Sequence, residues 1–198
     1  MLARMWVRVV QLVVSCTVLG LGVALLLTPA LGSDGFSTMV NGFSLALHVP
    51  FLLVNVVVGV VLVLLAWAKG QQPALGTVVQ PVITGTVVTY ALELLTRPVE
   101  LPLRLGMLLT GFVVVAVGVA GYLGSDTGAG PAEALSTAYD PPVPFRWSYS
   151  VFQGASAVLG WLLGAAVGVG TVLVVLLLGP AVDLIGRVSP RLRVVAGQ

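Results

Sequence analysis

The sequence predicts an all-α membrane protein with six transmembrane helices, built as two inverted three-helix repeats. The first observation is composition: 58% of the 198 residues are hydrophobic, 8% are charged, and the mean hydropathy is +1.11. A soluble domain carries about a quarter of its residues as charged side chains, so this chain lacks the polar residues for a water-facing surface. The second observation is a series of apolar runs, several of which approach the ~20 residues that cross a bilayer as a helix.

The third observation is an internal duplication. A shift of 96 residues, which becomes 94 past the glycine-rich loop, aligns like residues along most of the chain. The matched pairs include Arg8 with Arg104, Gly22 with Gly118, Gly32 with Gly128, Trp67 with Trp161 and the two "VPF" tripeptides at 49–51 and 143–145. Matched tryptophans and a matched tripeptide exceed what a glycine-rich, valine-rich chain gives by chance. Residues 1–198 therefore form one membrane domain, with repeat 1 at about 6–97 and repeat 2 at about 104–190.

Each repeat has the same four elements: a first spanning helix, a short amphipathic segment, and two further spanning helices. The predicted ranges are 6–30, 35–47, 50–68 and 75–95 in repeat 1, and 104–124, 131–139, 147–163 and 169–186 in repeat 2. At ~1.5 Å per residue the short segments cannot cross ~30 Å of hydrocarbon, so each is a re-entrant half helix or lies at an interface. Three crossings per repeat invert the second repeat, a plan that recurs in secondary transporters.

The distribution of basic residues predicts a multi-pass protein of the bacterial inner membrane with both termini in the cytoplasm. Cytoplasmic loops carry an excess of Lys and Arg. With the N-terminus inside, Arg97 and Arg104 lie outside, and the other basic residues lie on the cytoplasmic side. Those residues are Arg4, Arg8, Lys69, Arg146, Arg187, Arg191 and Arg193.

The glycine-rich loop before the short segment of repeat 2 is a candidate ligand site. It holds Gly128, Gly130, Pro131 and Glu133, but no lysine, which a phosphate-binding loop would need. Pro131 and Glu133 suit the first turn of a helix, so one interpretation is a tight break followed by a helix start. The alternative is that the N-termini of the two short helices converge from opposite sides of the membrane to hold an anionic group.

Three polar residues of repeat 1 join this candidate site. Asp34 precedes the first short segment, where it would either cap the helix or, if buried at depth, bind a proton or cation. Gln80 and Thr84 share one arc of an unusually polar third helix, whose equivalent in repeat 2 is apolar up to Asp183. This asymmetry indicates either a polar solute path or interhelical hydrogen bonds.

Several other classes of function are not supported by the residues. A formal net charge of +2 is too small and too scattered for a nucleic-acid partner. The one cysteine, Cys16, excludes an intramolecular disulfide and a multi-cysteine metal site. The sequence shows no serine–histidine–acid set and no metal-ligand spacing, so we expect no enzyme activity, no cofactor and no metal.

The order of motifs resembles the YczE/YyaS/YitT family of bacterial integral membrane proteins. The resemblance rests on an arginine-led first helix, a glycine break, a short helix, "VPF", and the final segment "GAAVGVGTVLVVLLLGPAVDLI" at 164–185. The first loop, "GSDGF" at 32–36, lacks the proline expected there. The family implies six-helix membrane proteins and loosely suggests small-molecule export.

Two functions therefore remain as hypotheses. The chain is a small-solute transporter whose site lies between the repeats, or it is a non-transporting accessory or structural subunit of a larger membrane complex. In both cases the lipid bilayer is a partner, and a homodimer is an option. A polar cavity between the repeats would favour the transporter, whereas a sealed apolar interior would oppose it.

Overall fold

The computed structural model of the chain describes residues 2–188, except for the side chains of residues 2–4 and 146. Arg191, Arg193 and the end of the predicted second repeat lie outside these residues, as do the side chains of Arg4 and Arg146. Eight helices form within the described range. They are α1 (Leu2–Leu27), α2 (Gly35–Leu47), α3 (Phe51–Ala68), α4 (Leu75–Leu94), α5 (Leu101–Leu123), α6 (Pro131–Thr137), α7 (Phe145–Leu162) and α8 (Val169–Val188).

The all-α prediction is confirmed, and the helix boundaries differ from it by a few residues. The short helix α2 has the predicted bounds, whereas α6 ends at Thr137 instead of residue 139. Helix α1 ends at Leu27, before the predicted residue 30, because Ala30 and Gly32 adopt positive φ angles of 50° and 100°. Such angles are incompatible with a continuing right-handed helix.

Five helices are long and apolar enough to cross a membrane within the described residues: α1, α3, α4, α5 and α8. Large apolar side chains such as Val57, Leu65 and Leu176 are more than half exposed, which suits a surface in contact with lipid tails. The chain is therefore a multi-pass membrane protein. Helix α7 has 18 residues but is less apolar and is not among the five, so the predicted sixth span is not established by length and hydropathy.

Helices α1 and α5 pack closely against each other and run antiparallel. A Cβ on Gly22 would lie 2.6 Å from the Val115 nitrogen, and a Cβ on Gly118 would lie 2.6 Å from the Leu19 nitrogen. Only glycine allows two helix backbones to approach this closely. This pair forms the centre of the molecule, with α4 packed against α1 and α8 packed against α5.

Each short helix packs against a helix from the other half of the chain. Helix α2 contacts α7, and helix α6 contacts α3. The α2–α7 contact is tight, because a Cβ on Gly42 would lie 2.6 Å from the Gly160 carbonyl oxygen. This exchange brings the N-terminal ends of α2 and α6 toward the middle of the molecule, where the candidate site lies.

Candidate functional site

A cavity of about 60 Å³, with both apolar and polar lining residues, lies where all eight helices meet. Its apolar lining comes mainly from α1 and α5, and its polar lining comes mainly from the short helices and from α4 and α7. The polar side chains that line it are Asp34, Ser37, Asn55, Gln80, Thr84, Tyr122, Glu133, Tyr149 and Gln153. A cavity of this size with several polar partners can hold water or a small ion.

Asp34 caps the N-terminus of α2 at the edge of the cavity. Its Oδ1 accepts a 2.9 Å hydrogen bond from the Ser37 backbone N–H, and its Oδ2 accepts one of 3.1 Å from the Ser33 hydroxyl. The residue is 9% exposed. The extended backbone of Asp34, with ψ at 156°, places the carboxylate over the first turn as an N-cap requires. The structure thus shows the capping interpretation, with the carboxylate also lining the cavity.

Two side chains of α7 connect the two short helices. The Phe36 backbone N–H donates a 2.9 Å hydrogen bond to Gln153 Oε1, and Gln153 Nε2 donates one of 2.8 Å to the Tyr149 hydroxyl. That hydroxyl lies 3.5 Å from Glu133 Oε1, which is long for an O–H···O hydrogen bond. A polar chain therefore runs from the N-terminus of α2, across α7, to α6.

Glu133 lies in the first turn of α6 and faces the cavity. Its Oε2 is 2.7 Å from the position that a Cβ on Gly130 would occupy, and Gln80 Oε1 is 3.5 Å from that same position. Glycine at residue 130 therefore leaves room for the carboxylate and the amide to share one corner. Burial raises the pKa of the Glu133 carboxyl, its own backbone N–H opposes that shift, and the nearby Asp34 carboxylate adds to it.

Helix α4 contributes Gln80 and Thr84 to the polar lining of the cavity. Pro81, inside α4, is buried, and its carbonyl accepts a 2.7 Å hydrogen bond from Asn55 Nδ2. The Thr84 hydroxyl donates to the Cys16 carbonyl at 3.3 Å. Gln80 Oε1 is buried and has no hydrogen-bond partner among the described residues. Asn55 and Thr84 thus use their polar groups within the protein, whereas the Gln80 oxygen remains free.

The structure brings together most of the residues that the sequence proposed as solute-lining. Asp34, Gln80, Thr84, Pro131 and Glu133 all line the cavity. Gly130 adjoins it through the contact with Glu133.

Gly128 lies elsewhere. A Cβ on it would collide with Ala74, and its φ of +112° lies in a region that favours glycine. Gly128 thus shapes the loop beside the start of α4 and does not line the cavity.

Four further polar residues line the cavity but were not predicted from the sequence: Asn55, Tyr122, Tyr149 and Gln153. Tyr149 and Gln153 are four residues apart on α7, so they lie on one face of that helix. Polar residues four apart in a segment proposed to span the membrane were a signal that could have identified this face.

The charges of the cavity do not suit the anionic group proposed for the two helix N-termini. Among the side chains that the structure describes, the lining includes two carboxyl groups and no lysine, arginine or histidine. The backbone N–H groups of Phe36 and Ser37 at the start of α2 already donate to Gln153 and Asp34. At the start of α2, the protein's own acceptors therefore take up the donors that an anion would use. Within the described residues, no three His, Cys, Asp or Glu side chains lie close enough together to hold a metal ion.

Comparison with known proteins identifies the family. The sequence profile of a family described as "Family of unknown function (DUF6198)" matches residues 5–187, nearly the whole chain. The chain belongs to this family. The DUF6198 chain is also similar to an uncharacterized protein of Haemophilus influenzae, with 25% identity over 185 residues, 91% of this chain and 84% of that protein. No solved structure matches the chain.

Proposed function

We propose that this DUF6198 protein is a small-solute transporter of the bacterial inner membrane, with its site in the central cavity. The observation that carries the proposal is a central cavity that nine polar side chains help to line and that the N-termini of two short helices border, within an otherwise apolar membrane protein. Polar and ionisable side chains at membrane depth are costly, and they typically mark ion or substrate pathways.

Equivalent residues of the two halves make equivalent contacts, which supports the proposed inverted repeat. The Gly76 N–H donates to the Thr127 carbonyl at 2.8 Å, and the Gly170 N–H donates to the Leu31 carbonyl at 2.9 Å. The positive φ angles recur as well: 50° and 53° at Ala30 and Asp126, and 100° and 112° at Gly32 and Gly128. These residues are related by the same shifts of 96 and 94 that align the sequence.

The cavity itself lies between equivalent residues, as a site at a repeat interface would. Pairs related by the shifts line it from both sides. The pairs are Leu19 with Val115, Val23 with Val119, Phe36 with Ala132, Ser37 with Glu133, Asn55 with Tyr149, and Thr84 with Leu178. Binding sites of inverted-repeat transporters lie at such interfaces near the bilayer midplane.

The short helices fit a re-entrant arrangement. Their N-termini border the central cavity, and the exposed Leu45 and Leu47 lie at the other end of α2. We infer that the chain reaches the membrane surface after α1, returns to the centre at Asp34, and runs outward again along α2. This course explains why the N-terminus of α2 borders the cavity while its other end is exposed. The same course from α5 through Glu133 along α6 would approach the centre from the other side.

In the proposed topology, α7 is the sixth span and both termini lie in the cytoplasm. Helix α7 has the 18 residues of the established span α3. Its polar residues Tyr149 and Gln153 contact protein groups, so they need not face lipid. The resemblance to the YczE/YyaS/YitT family agrees with six spans and with export of a small molecule.

The accessory-subunit hypothesis, including a role within a homodimer or a larger complex, is not favoured by the same observations. A protein that only packs against other subunits has no need for unpaired polar groups in its centre. The free Gln80 oxygen in the cavity wall is such a group within the described residues.

Reconstitution into liposomes tests the proposal. We expect the wild-type protein to carry at least one solute from a panel of labelled small cations, neutral polyols and anions. Asp34→Asn keeps a good helix cap but removes the charge, so its flux should fall without loss of folding. Gln80→Ala should also lower the flux, whereas Gln72→Ala, on an exposed loop, should not. No flux of any solute, or unchanged flux in both cavity variants, would refute the proposal.

A further inference from the structure

We propose that the central cavity binds a small monovalent cation between Glu133, Tyr122 and Gln80. This inference deepens the proposed function, since it assigns the charge and size of what occupies the same site. It replaces the anionic group that the two helix N-termini suggested.

The charge balance of the cavity is the first support. Asp34 accepts two hydrogen bonds and stands at the N-terminus of α2, where the helix dipole offsets part of its charge. Glu133 has the long 3.5 Å contact with the Tyr149 hydroxyl and an interaction with the Tyr122 hydroxyl, and neither group is charged. Among the side chains that the structure describes, no basic residue lines the cavity. When Glu133 is ionised, the site therefore carries an excess of roughly one negative charge, and an uncompensated charge in a low-dielectric interior is costly. One positive charge would neutralise it.

The buried hydroxyl of Tyr122 is the second support. Tyr122 lines the cavity and is 1% exposed, and among the described residues its hydroxyl makes no hydrogen bond of good geometry. It lies beside the Glu133 carboxyl and interacts with it, so the two side chains face the same part of the cavity. A buried polar group without a partner costs about 1–3 kcal/mol, so such groups usually serve a ligand or an unseen water.

The Gln80 oxygen completes a set of oxygen donors at one corner. Gln80 Oε1 is buried and unpartnered, and it lies beside Glu133 Oε2 over Gly130. A carboxylate, an amide oxygen and a tyrosine hydroxyl are all hard oxygen donors, which suit alkali ions and protonated ammonium groups. The cavity volume of about 60 Å³ admits such an ion with a water but excludes a bulky organic cation.

Cation-dependent thermal stability of the purified protein tests the inference without a transport assay. The protein in detergent is melted at constant ionic strength in Na⁺, K⁺ or NH₄⁺, with N-methylglucamine as the bulky reference cation. We expect a saturable rise in melting temperature with at least one small cation. Glu133→Gln should raise the half-saturating concentration by about tenfold or more, and Glu93→Gln, an exposed acid of α4, should leave it unchanged.

Tyr122→Phe serves as a second variant, because it removes only the hydroxyl and keeps the packing. It should weaken cation binding several-fold even if Glu133→Gln fails to fold. Equal melting temperatures in all four cations, or equal cation responses of wild type and Tyr122→Phe, would overturn the inference. Cation binding without any solute flux would support this cation site and refute the proposed transport function. Solute flux without cation binding would support the transport function and refute the cation site.

Discussion

The backbone N–H of Phe36 donates a 2.9 Å hydrogen bond to Gln153 Oε1, across 117 residues of sequence. This bond joins the first turn of α2 to the middle of α7. Gln153 is 6% exposed and also donates to Tyr149 at 2.8 Å, so one amide side chain satisfies a helix end and holds a cavity residue in place. The position of α2 relative to the cavity therefore depends on Gln153.

Replacing Gln153 with leucine should destabilise the protein and disturb the cavity. The change keeps the approximate volume but leaves the Phe36 N–H and the Tyr149 hydroxyl without this partner, at a cost of about 1–3 kcal/mol. Denaturant unfolding in detergent measures the loss. Gln71→Leu, on the exposed loop after α3, is the matched control and should have little effect. Equal stability of the two variants would contradict the bridging role.

The α1–α5 contact predicts different effects for two glycines of the same helix. Gly118→Ala places a Cβ 2.6 Å from the Leu19 nitrogen, so the helices must separate and the melting temperature should fall by several degrees. Gly106→Ala meets nothing within 4 Å and should be neutral or slightly stabilising, because alanine favours the helix. Equal melting temperatures of the two variants would contradict the close approach of α1 and α5.

The buried carboxyl of Glu133 predicts a dependence of stability on pH. Folding raises the pKa of this carboxyl above the ordinary glutamate value of about 4.3. Between the ordinary and the raised pKa, the folded protein therefore binds more protons than the unfolded chain. This contribution to stability is complete below the ordinary pKa and is lost as the pH rises through the raised pKa. Denaturation over pH 4–8 in N-methylglucamine buffer should show it.

The Gln variant of Glu133 isolates this effect from the other titrating groups, including the neighbouring Asp34. Glu133→Gln should remove part of the fall in stability with rising pH and should gain relative to wild type toward neutral pH. Glu93→Gln, an exposed acid, should keep the wild-type slope. A steeper fall in Glu133→Gln than in wild type would show that the sign is wrong.

Thiol labelling of intact cells tests whether α7 crosses the membrane. In a Cys16→Ala background, Val143→Cys and Val167→Cys place thiols at exposed positions before and after α7. The six-span arrangement predicts that an impermeant maleimide labels residue 167 from outside but reaches residue 143 only after permeabilisation. Labelling of both from the same side would show that α7 does not cross.

The sequence predicts the elements of this fold better than it predicts the site. Helix α2 has the predicted bounds because Asp34 is a clear N-cap and His48, with φ of 56°, ends the helix just before Pro50. Gln80 was identifiable as a polar residue of a spanning helix, and Glu133 because it follows the glycine-rich loop at the start of a short helix.

Partnerships between distant segments were not predictable in the same way. The sequence left an anion at the N-terminus of α2 as an alternative to a simple helix cap, but Gln153 on α7 already accepts the Phe36 N–H there. That contact depends on the packing of α2 against α7, which no local sequence pattern predicts. The burial of the Tyr122 hydroxyl beside Glu133 likewise becomes visible only in the folded structure.

Accessibility of the cavity wall to a water-soluble thiol reagent tests the central claim most directly. Thr84→Cys in the Cys16→Ala background places a thiol in the cavity, and Val88→Cys places one a helical turn further on, in the fully buried core. A transporter that exposes its cavity to each side in turn predicts that a small charged thiosulfonate modifies residue 84 from either side of the membrane, while residue 88 is protected. Protection of residue 84 from both sides would contradict a solute pathway through this cavity.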